Sequence, residues 1–392
     1  MFAKKTVKDI NVAGKTVLVR VDFNVPLDGN KVGDDTRIKA ALPTIEYLLE
    51  EKAAVVLTSH LGRPKGSVDP SLSLRPVAEH LAGLVDAQVS FSEDCLSDES
   101  FQAAEELPVG EILLLENTRF HAGEKANDPQ MSRRLASMAD IFVNDAFGTA
   151  HRSHASNVGV AEYLPAVAGF LLEKEIRYLG KAIANPERPF LAILGGAKVS
   201  GKINVIHNLL PRVDRLLIGG GMANTFFKAQ GYALGDSLVE DDVLDVARTI
   251  LDDAGDKLLL PVDVVIADKF DAGAEKEDMA IGDVPAGWQI LDIGTETLKQ
   301  FRQEIQEAAT VVWNGPMGVF EFDRFSHGTF ELAKIIAESG VVSIIGGGDS
   351  AAAIRKAGLH EKITHISTGG GASLQMLQGE ELPGLEALED LE

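Results

Sequence analysis

Short apolar runs alternate along the chain with amphipathic segments several turns long, which is the pattern of strands that alternate with helices. In the first half the apolar runs predict strands near residues 16–24, 54–60, 112–117 and 141–146. In the second half they predict strands near residues 190–194, 215–218, 257–267, 310–313, 341–345 and 363–367. Strands that are apolar on both faces are typical of parallel sheets covered by helices on each side, so the predicted fold class is α/β.

Two amphipathic segments predict helices that bear on the domain organisation. Arg37–Lys52 places Ile38 and Ile45 on one apolar face. Tyr163–Ile183 predicts one long connecting helix with Pro165 in its first turn. We therefore expect two domains, at residues 1–170 and 185–372.

The acidic tail, residues 382–392, carries regularly spaced leucines. Its composition leaves two alternatives open, a solvated end and a segment that docks on another surface.

Glycine-rich turns follow several strands of the second half and lead into predicted helices. Free amides at the start of a helix, together with the helix dipole, favour a bound phosphate, and glycine lets the backbone approach it closely. The turns are Gly219–Gly221, Gly346–Gly348, Gly369–Gly371 and Gly195–Gly196, the last of which is followed by Lys198 and Lys202. Four such turns indicate a phosphorylated ligand, whereas a single one would be explained by packing.

One of these turns comes close to a P-loop. Residues 196–203 match that pattern except at the last position, where Ile203 replaces the Ser or Thr that would hold magnesium. An ordinary P-loop is therefore not expected. No strand is followed by Gly-x-Gly-x-x-Gly with an acidic residue about twenty positions later, which argues against a dinucleotide-dependent oxidoreductase.

Composition narrows the class of protein. The chain has 392 residues and a formal net charge of −22, which disfavours nucleic acid as a partner. Its one cysteine, Cys95, excludes an internal disulfide. The sequence contains no apolar run of about eighteen residues or more, so no membrane span is predicted. We therefore expect a cytoplasmic protein with no membrane partner.

Polar and cationic residues of the first half fall where predicted strands end. In parallel sheets ligands bind outside the carboxyl ends of the strands, so these side chains are expected to meet in one crevice. The guanidinium fork suits a phosphate or a carboxylate. The residues are Asp22, Asn24, His60, Arg63, Arg119 and Arg152. The alternative for a lone arginine is a surface ion pair, and a zinc site at His151 and His154 is disfavoured because no further ligand pattern accompanies them.

Six segments in order along the chain closely resemble the signature segments of the phosphoglycerate kinase family. They are residues 20–26, 59–64, 144–152, 195–200, 313–318 and 346–350. The resemblance implies two Rossmann-like domains, each a parallel sheet flanked by helices, joined by a long connecting helix. It implies an N-terminal domain that binds 3-phosphoglycerate, a C-terminal domain that binds Mg-ADP or Mg-ATP, and a C-terminal tail, residues 373–392, that docks on the N-terminal domain.

The same resemblance assigns site residues by matching position. Around the phosphoglycerate it implies Asp22, Phe23, Asn24, Arg37, His60, Leu61, Gly62, Arg63, Arg119 and Arg152. Around the nucleotide it implies Lys202, Gly294, Glu321, Gly347, Gly348, Asp349 and Ser350, with Asp349 toward Mg²⁺. The catalytic residues it implies are Arg37, Lys198, Gly348 and Gly371. Gly201 departs from the family, which often has a polar residue there.

The expected reaction is phosphoryl transfer between 1,3-bisphosphoglycerate and ADP, as in glycolysis, by a monomer whose domains close about a hinge. The alternative is a non-catalytic nucleotide-binding protein. In the reverse direction the nucleophile is a carboxylate with a pKa of roughly 3.5, so no general base is required.

Overall fold

The computed structural model describes residues 4–391, which form two compact units. Of the described residues, the first unit holds residues 4–177 together with 381–391, and the second holds Tyr178–Glu380. Residues 373–380, which were expected with the tail, thus lie in the second unit. Within the described part of the chain, no helix combines the length and the apolar character needed to cross a membrane.

The first unit is built on a six-stranded parallel sheet with the order β5-β6-β4-β1-β7-β8. The core strands β1, β4, β6 and β7 are almost fully buried, because helices cover both faces. A short hairpin, β2 with β3, follows β1. The strands are β1 (Thr16–Val21), β2 (Leu27–Asp28), β3 (Lys31–Val32), β4 (Ala54–Thr58), β5 (Val89–Ser92), β6 (Ile112–Leu115), β7 (Ile141–Asp145) and β8 (Ala166–Ala168). The helices are α1 (Thr36–Glu50), α2 (Arg75–Ala82), α3 (Asp98–Glu105), α4 (Gly123–Ala126), α5 (Pro129–Ala136) and α6 (Phe170–Ala184).

The second unit repeats the architecture with a parallel sheet of order β11-β10-β9-β15-β16-β17. A separate antiparallel sheet, β13-β12-β14, accompanies it. The strands are β9 (Phe190–Leu194), β10 (Arg215–Ile218), β11 (Leu258–Leu259), β12 (Asp263–Ala267), β13 (Lys276–Ala280), β14 (Gln289–Ile293), β15 (Thr310–Asn314), β16 (Val342–Gly346) and β17 (His365–Ile366). The helices are α7 (Ile203–Leu209), α8 (Gly221–Ala229), α9 (Leu244–Ala254), α10 (Thr295–Glu307), α11 (His327–Ser339), α12 (Gly348–Lys356) and α13 (Gly370–Leu377). The predicted α/β class and the two parallel sheets are confirmed.

The long helix predicted from residue 163 was wrong at its start. Ala166–Ala168 forms β8, which pairs with β7 as the edge strand of the sheet. The carbonyl of Pro165 accepts a hydrogen bond from Phe142 N at 2.9 Å and so belongs to the same ladder. The helix begins only at Phe170, because the strand already satisfies the preceding backbone groups.

The single strand predicted over 257–267 was also wrong. Leu258–Leu259 pairs with β10 in the parallel sheet, whereas Asp263–Ala267 pairs antiparallel with β13 and β14. Pro261 lies between the two segments and has no N–H to donate to a ladder.

Two buried aspartates at strand ends cap helices. Asp145 Oδ1 accepts hydrogen bonds from Leu171 N (2.9 Å) and Leu172 N (3.1 Å) at the start of α6. Asp292 Oδ2 accepts a hydrogen bond from Gly328 N at 2.8 Å at the start of α11. Burial raises the pKa of each carboxyl to about 7, against the opposing effect of these amide donors. The caps fix where each helix begins relative to its sheet.

The chain's last segment packs within the first unit. Glu389 N donates to Ala166 O (2.9 Å), and Lys5 N donates to Glu389 O (2.9 Å). A short helix, α14 (Pro383–Glu386), places Gly384 N at 2.8 Å from Ala150 O. The side chains of Leu382, Leu385 and Leu388 are buried. These three leucines of the tail are therefore core residues, whereas Leu391 is half exposed.

Leu385→Ala should lower the free energy of unfolding of the first unit by about 3 kcal/mol, because it removes a fully buried side chain and leaves a cavity. Leu391→Ala is the matched control: its side chain is half exposed, and a change within about 0.5 kcal/mol is expected. Both tryptophans, Trp288 and Trp313, lie in the second unit, so tryptophan fluorescence does not report directly on the first unit. Unfolding in urea should therefore be followed by circular dichroism. Equal losses for the two variants would contradict a packed tail.

Candidate functional site

The first unit gathers cationic side chains at the carboxyl edge of its sheet. The neighbouring strands β6, β4, β1 and β7 run parallel, so their carboxyl ends meet at one edge. The predicted site residues follow these ends: Asp22 and Asn24 after β1, His60 after β4, Arg119 after β6 and Arg152 after β7. We call this group, together with Arg37 in the first turn of α1, the cationic edge.

Direct contacts link several members of the cationic edge. Arg37 Nη1 donates to Asn24 O at 3.0 Å and lies 3.2 Å from Asp22 Oδ2. Asn24 Oδ1 accepts from Gly62 N at 2.9 Å, and Arg119 Nη1 donates to Gly62 O at 2.8 Å. The structure thus brings together residues that are distant in the chain, since Asp22 and Arg119 are 97 positions apart.

Two buried polar atoms of the cationic edge have no hydrogen-bond partner within the described chain. They are Arg119 Nε and Asp22 Oδ1. Buried polar atoms are almost always satisfied, so unpartnered ones at a crevice indicate a place where a ligand or ordered water binds.

The remaining residues predicted for this site differ in exposure. Phe23 and Leu61 have buried side chains, and their backbone amides are engaged within the protein, where they donate to Ser59 Oγ (2.9 Å) and Asn117 Oδ1 (3.1 Å). Arg63 and Arg152 are exposed. Arg152 is close enough to Arg119 to lower the pKa of that guanidinium, whereas Arg63 makes no hydrogen bond or ion pair within the described residues.

The pKa values at the cationic edge respond to burial and to positive charge together. Burial, and after it the positive charge of the neighbouring Arg20, lower the pKa of Arg119 to about 10. Burial lowers the pKa of His154 to about 4, where Glu124 opposes the shift. Burial and then Arg20 hold the pKa of His60 well below its usual range. The histidines are therefore neutral near pH 7, and the net positive charge comes from the arginines.

A second layer lies beneath the cationic edge, and sequence reasoning missed it. Arg20 on β1 is fully buried and contacts His60 Nδ1 and Ser156 Oγ, and Ser156 in turn contacts the fully buried Glu124. A charged residue inside an apolar strand was the available signal for Arg20. Glu124 and Ser156 gave none, because their contacts depend on distant parts of the chain.

The second unit contains a cavity of about 330 Å³ at the turns that follow β9, β10 and β15. Its wall is mostly apolar and includes the side chains of Phe227, Leu238, Met317 and Val319. Two predicted nucleotide residues, Glu321 and Asp349, lie at its rim and are exposed. A mostly apolar cavity with a few polar groups is typical of a site for a small organic ligand.

Glycine is required at two turns beside this cavity. Gly220 has φ +68°, and a Cβ there would lie 2.7 Å from both Gly196 N and Pro316 O. Gly347 has φ +86° and immediately precedes α12. These turns leave backbone amides at the starts of α8 and α12 without side-chain caps, as an anion site requires.

Asn314 links the predicted Lys202 to the Gly346–Gly348 turn. Lys202 Nζ donates to Asn314 O at 3.1 Å and also contacts Asn314 Oδ1. Asn314 Nδ2 is buried without a partner in the described chain and faces Gly346 and Gly347. Burial lowers the pKa of Lys202 to about 8, and Asp349 opposes that shift. Asn314 is a donor that the sequence assignment omitted, although it lies within the 313–318 segment.

Other predicted nucleotide residues are placed differently. Ser350 is fully buried, and its Oγ accepts from Gly315 N at 2.7 Å, so its hydroxyl supports the turn after β15. Gly294 precedes α10, and a Cβ there would meet the Asp263 carboxylate at 2.2 Å. Lys198, Gly348 and Gly371 are exposed.

Metal-ligating side chains cluster elsewhere. Among residues 4–391, Asp94, Cys95 and His121 form a group whose potential ligand atoms lie within 4.8 Å of one another. They belong to the first unit, whereas Asp349, the carboxylate predicted to face Mg²⁺, begins the first turn of α12 in the second. One carboxylate fits Mg²⁺ that is bound mainly by phosphates and water.

Similarity to known proteins identifies the family of this chain. A family model described as phosphoglycerate kinase matches residues 7–380. This chain belongs to the phosphoglycerate kinase family. It is 58% identical over 390 residues to the phosphoglycerate kinase of Moorella thermoacetica, with 99% of both chains covered. It is 56% identical over 398 residues to that of Chloroflexus aurantiacus, with 99% of this chain and 100% of the relative covered.

Solved structures of the phosphoglycerate kinase family share the fold along the whole chain. The phosphoglycerate kinase of Coxiella burnetii superposes with a TM-score of 0.89 at 41% identity, covering 98% of this chain and 99% of that one. The enzyme of Pyrococcus horikoshii superposes with a TM-score of 0.86 at 38% identity, covering 98% of each chain. The family resemblance drawn from six sequence segments is confirmed.

Proposed function

We propose that the protein catalyses reversible phosphoryl transfer from 1,3-bisphosphoglycerate to Mg-ADP, which gives 3-phosphoglycerate and ATP. The observation that carries this proposal is membership of the phosphoglycerate kinase family over residues 7–380. The cationic edge of the first unit and the glycine turns of the second supply two anion sites of different construction, which suits two phosphorylated substrates.

The cationic edge is the proposed phosphoglycerate site. Arg37 and Arg119 each donate to a backbone carbonyl and retain further N–H groups, so their forks can hold the phosphate or the carboxylate of the substrate. The unpartnered Arg119 Nε supports this role. The proposed set is Asp22, Phe23, Asn24, Arg37, His60, Leu61, Gly62, Arg63, Arg119 and Arg152.

The cavity beside Gly220 is the proposed nucleoside site, with the phosphates at the Gly346–Gly348 turn. Lys202, the amides of Gly347 and Gly348, and Asn314 Nδ2 are the proposed phosphate contacts, because the side-chain amide is buried, unpartnered and faces that turn. Glu321 at the cavity rim is the proposed partner of the ribose hydroxyls. The assignments of Gly294 and Ser350 stay predictions.

Magnesium enters this reaction as part of the nucleotide substrate. Its chemistry is to neutralise phosphate charge and orient the phosphate groups. Asp349 is the proposed protein ligand, because its exposed carboxylate lies at the start of α12 beside Gly348. The monomeric state and the cytoplasmic location also stay predictions.

Phosphoryl transfer to a carboxylate requires positive charge around the phosphoryl oxygens and requires no proton transfer. The acceptor carboxylate of 3-phosphoglycerate is already ionised at neutral pH, because its pKa lies at roughly 3.5. Charge on the transferred phosphoryl oxygens is stabilised by pre-oriented donors, for which we propose Arg37, Lys198 and the amides of Gly348 and Gly371. His60 is neutral and buried, so its proposed role is orientation of the substrate.

Purified protein should form ATP from ADP and 1,3-bisphosphoglycerate, which a coupled assay measures. No ATP above the rate without protein would contradict the proposed function and favour the non-catalytic alternative.

Arg37→Ala should lower kcat by about two orders of magnitude or more, the scale expected when a charge partner of the transition state is lost. Arg133→Ala removes an exposed arginine of the same unit on α5 and should leave kcat unchanged. A loss of about tenfold or less for Arg37→Ala would refute a transition-state role.

Affinity for Mg-ADP should weaken as the pH rises above about 8. The pKa of Lys202 is lowered to about 8, and a phosphate binds the protonated form more tightly, so deprotonation removes the attraction. Calorimetry between pH 7.5 and 9.5 measures the change. Lys202→Arg keeps its charge across this range and should abolish the dependence. Equal pH profiles for the two proteins would exclude Lys202 as the titrating contact.

A further inference from the structure

We propose that Arg20, Ser156 and Glu124 form a buried relay that holds the His60 imidazole with its one proton on Nε2. The relay makes His60 a hydrogen-bond donor to the phosphoglycerate. Arg20, Ser156 and Glu124 are positioning residues, since none of the three is exposed. The donor role rests on the proposed function, whereas the protonation state of His60 does not.

The relay is continuous and lies inside the first unit. Arg20 Nη2 lies 3.0 Å from His60 Nδ1, and Arg20 Nε donates to Ser156 Oγ at 2.8 Å. Ser156 Oγ donates to Glu124 Oε1 at 2.7 Å, and Ser156 N donates to Glu124 Oε2 at 3.0 Å. The remaining Arg20 nitrogen, Nη1, donates to Val21 O. Every guanidinium nitrogen is therefore engaged, which fixes the orientation of the fork.

The chemistry of a guanidinium fixes the tautomer of its partner. Arg20 has only N–H donors and no acceptor, so the contact with His60 requires Nδ1 to be the unprotonated ring nitrogen. A neutral imidazole then carries its proton on Nε2. An imidazolium would place a second N–H against the N–H of Arg20, which the geometry disfavours.

The charged groups around His60 also favour the neutral imidazole. Those that face it are Arg20 on β1, Arg37 on α1, Arg119 after β6 and His154, and each disfavours a proton on the ring. The carboxylate of Asp22 is paired with Arg37, and that of Glu124 accepts from Ser156. Within the described chain His60 has no carboxylate within ion-pair distance, in contrast to His80, His121 and His154.

The arrangement also explains why a carboxylate is buried beneath a substrate site. Arg20 would be a buried cation without compensation, and removing a charge partner in the interior is costly. Glu124 supplies the compensating charge through the Ser156 hydroxyl and not by direct contact. Arg20 consequently keeps one N–H free for His60, which a bidentate pair with Glu124 would have occupied.

The free protein tests the tautomer directly. In protein labelled with ¹⁵N-histidine, Nε2 of His60 should show the shift of a protonated nitrogen and Nδ1 that of an unprotonated one, unchanged from pH 8 down to pH 5.5. A proton on Nδ1, or a transition to the imidazolium in this range, would overturn the proposal. This measurement needs no substrate and so does not depend on the proposed function.

Variants test whether the relay sets the donor. Arg20→Lys keeps a group that can only donate and should retain the Nε2 proton, whereas the amide of Arg20→Gln can donate or accept and should allow both tautomers. Retention of a single Nε2–H tautomer in Arg20→Gln would show that Arg20 does not set it.

Ser156→Ala tests the link to Glu124 with a smaller change. It should raise KM for 3-phosphoglycerate about tenfold, as expected for one weakened polar contact, and leave KM for ATP unchanged. Ser132→Ala removes another buried serine hydroxyl of the same unit, one that donates to Asp128 O, and should change neither constant. An equal rise of both KM values in Ser156→Ala would indicate a merely structural role and overturn the relay. Absence of ATP formation by the wild-type protein would instead refute the proposed function.

Discussion

The cost of taking positive charge out of water governs the first unit. Arg20 is fully buried and Arg119 is half-buried, and each would be strongly destabilising without compensation. Backbone carbonyls at strand ends provide part of that compensation, since Val21 O and Gly62 O accept from these guanidiniums. The carboxylates of Asp22 and Glu124 provide the rest. The remaining unpartnered donor of Arg119 makes this edge a site that an anion would stabilise further.

In the proposed function, the two units bind anions by different means. The first concentrates arginine at one sheet edge, which a protein with a net charge of −22 needs if an anionic substrate is to approach. The second relies on glycine turns and the starts of α8 and α12, where backbone amides attract an anion without any net charge. A side-chain fork fixes the orientation of a small acid, whereas a ring of amides suits a longer chain of phosphates.

Much of the fold followed from the sequence because parallel strands buried on both faces leave a clear apolar pattern. The pattern failed where local and tertiary signals conflict. Ala166–Ala168 looks like the start of a helix and becomes a strand only because β7 offers an unpaired edge. The antiparallel strand Lys276–Ala280 is largely exposed and polar, so it carries no apolar signal.

The candidate site likewise contains residues that the sequence predicts and residues that only the structure reveals. His60 and Arg119 were predicted because strand ends in a parallel sheet are where ligands bind, whereas Arg37, at the start of α1, was named only by the family resemblance. Glu124 and Ser156 could not be predicted, since Ser156 contacts Arg20, which lies more than a hundred residues away in the chain, and Glu124 is linked to Arg20 through Ser156. Gly62 shows both aspects: its position in a signature segment was evident, whereas its backbone bonds to Asn24 and Arg119 required the structure.

In the proposed function, desolvated guanidinium groups at the cationic edge bind the phosphoglycerate through its phosphate. Titration calorimetry of 3-phosphoglycerate and of glycerate, each at low and high salt, isolates the contribution of that phosphate. We expect 3-phosphoglycerate to bind with an affinity that falls as salt rises, and glycerate, which lacks the phosphate, to bind far more weakly. Equal affinities for the two acids, or no effect of salt on either, would contradict it.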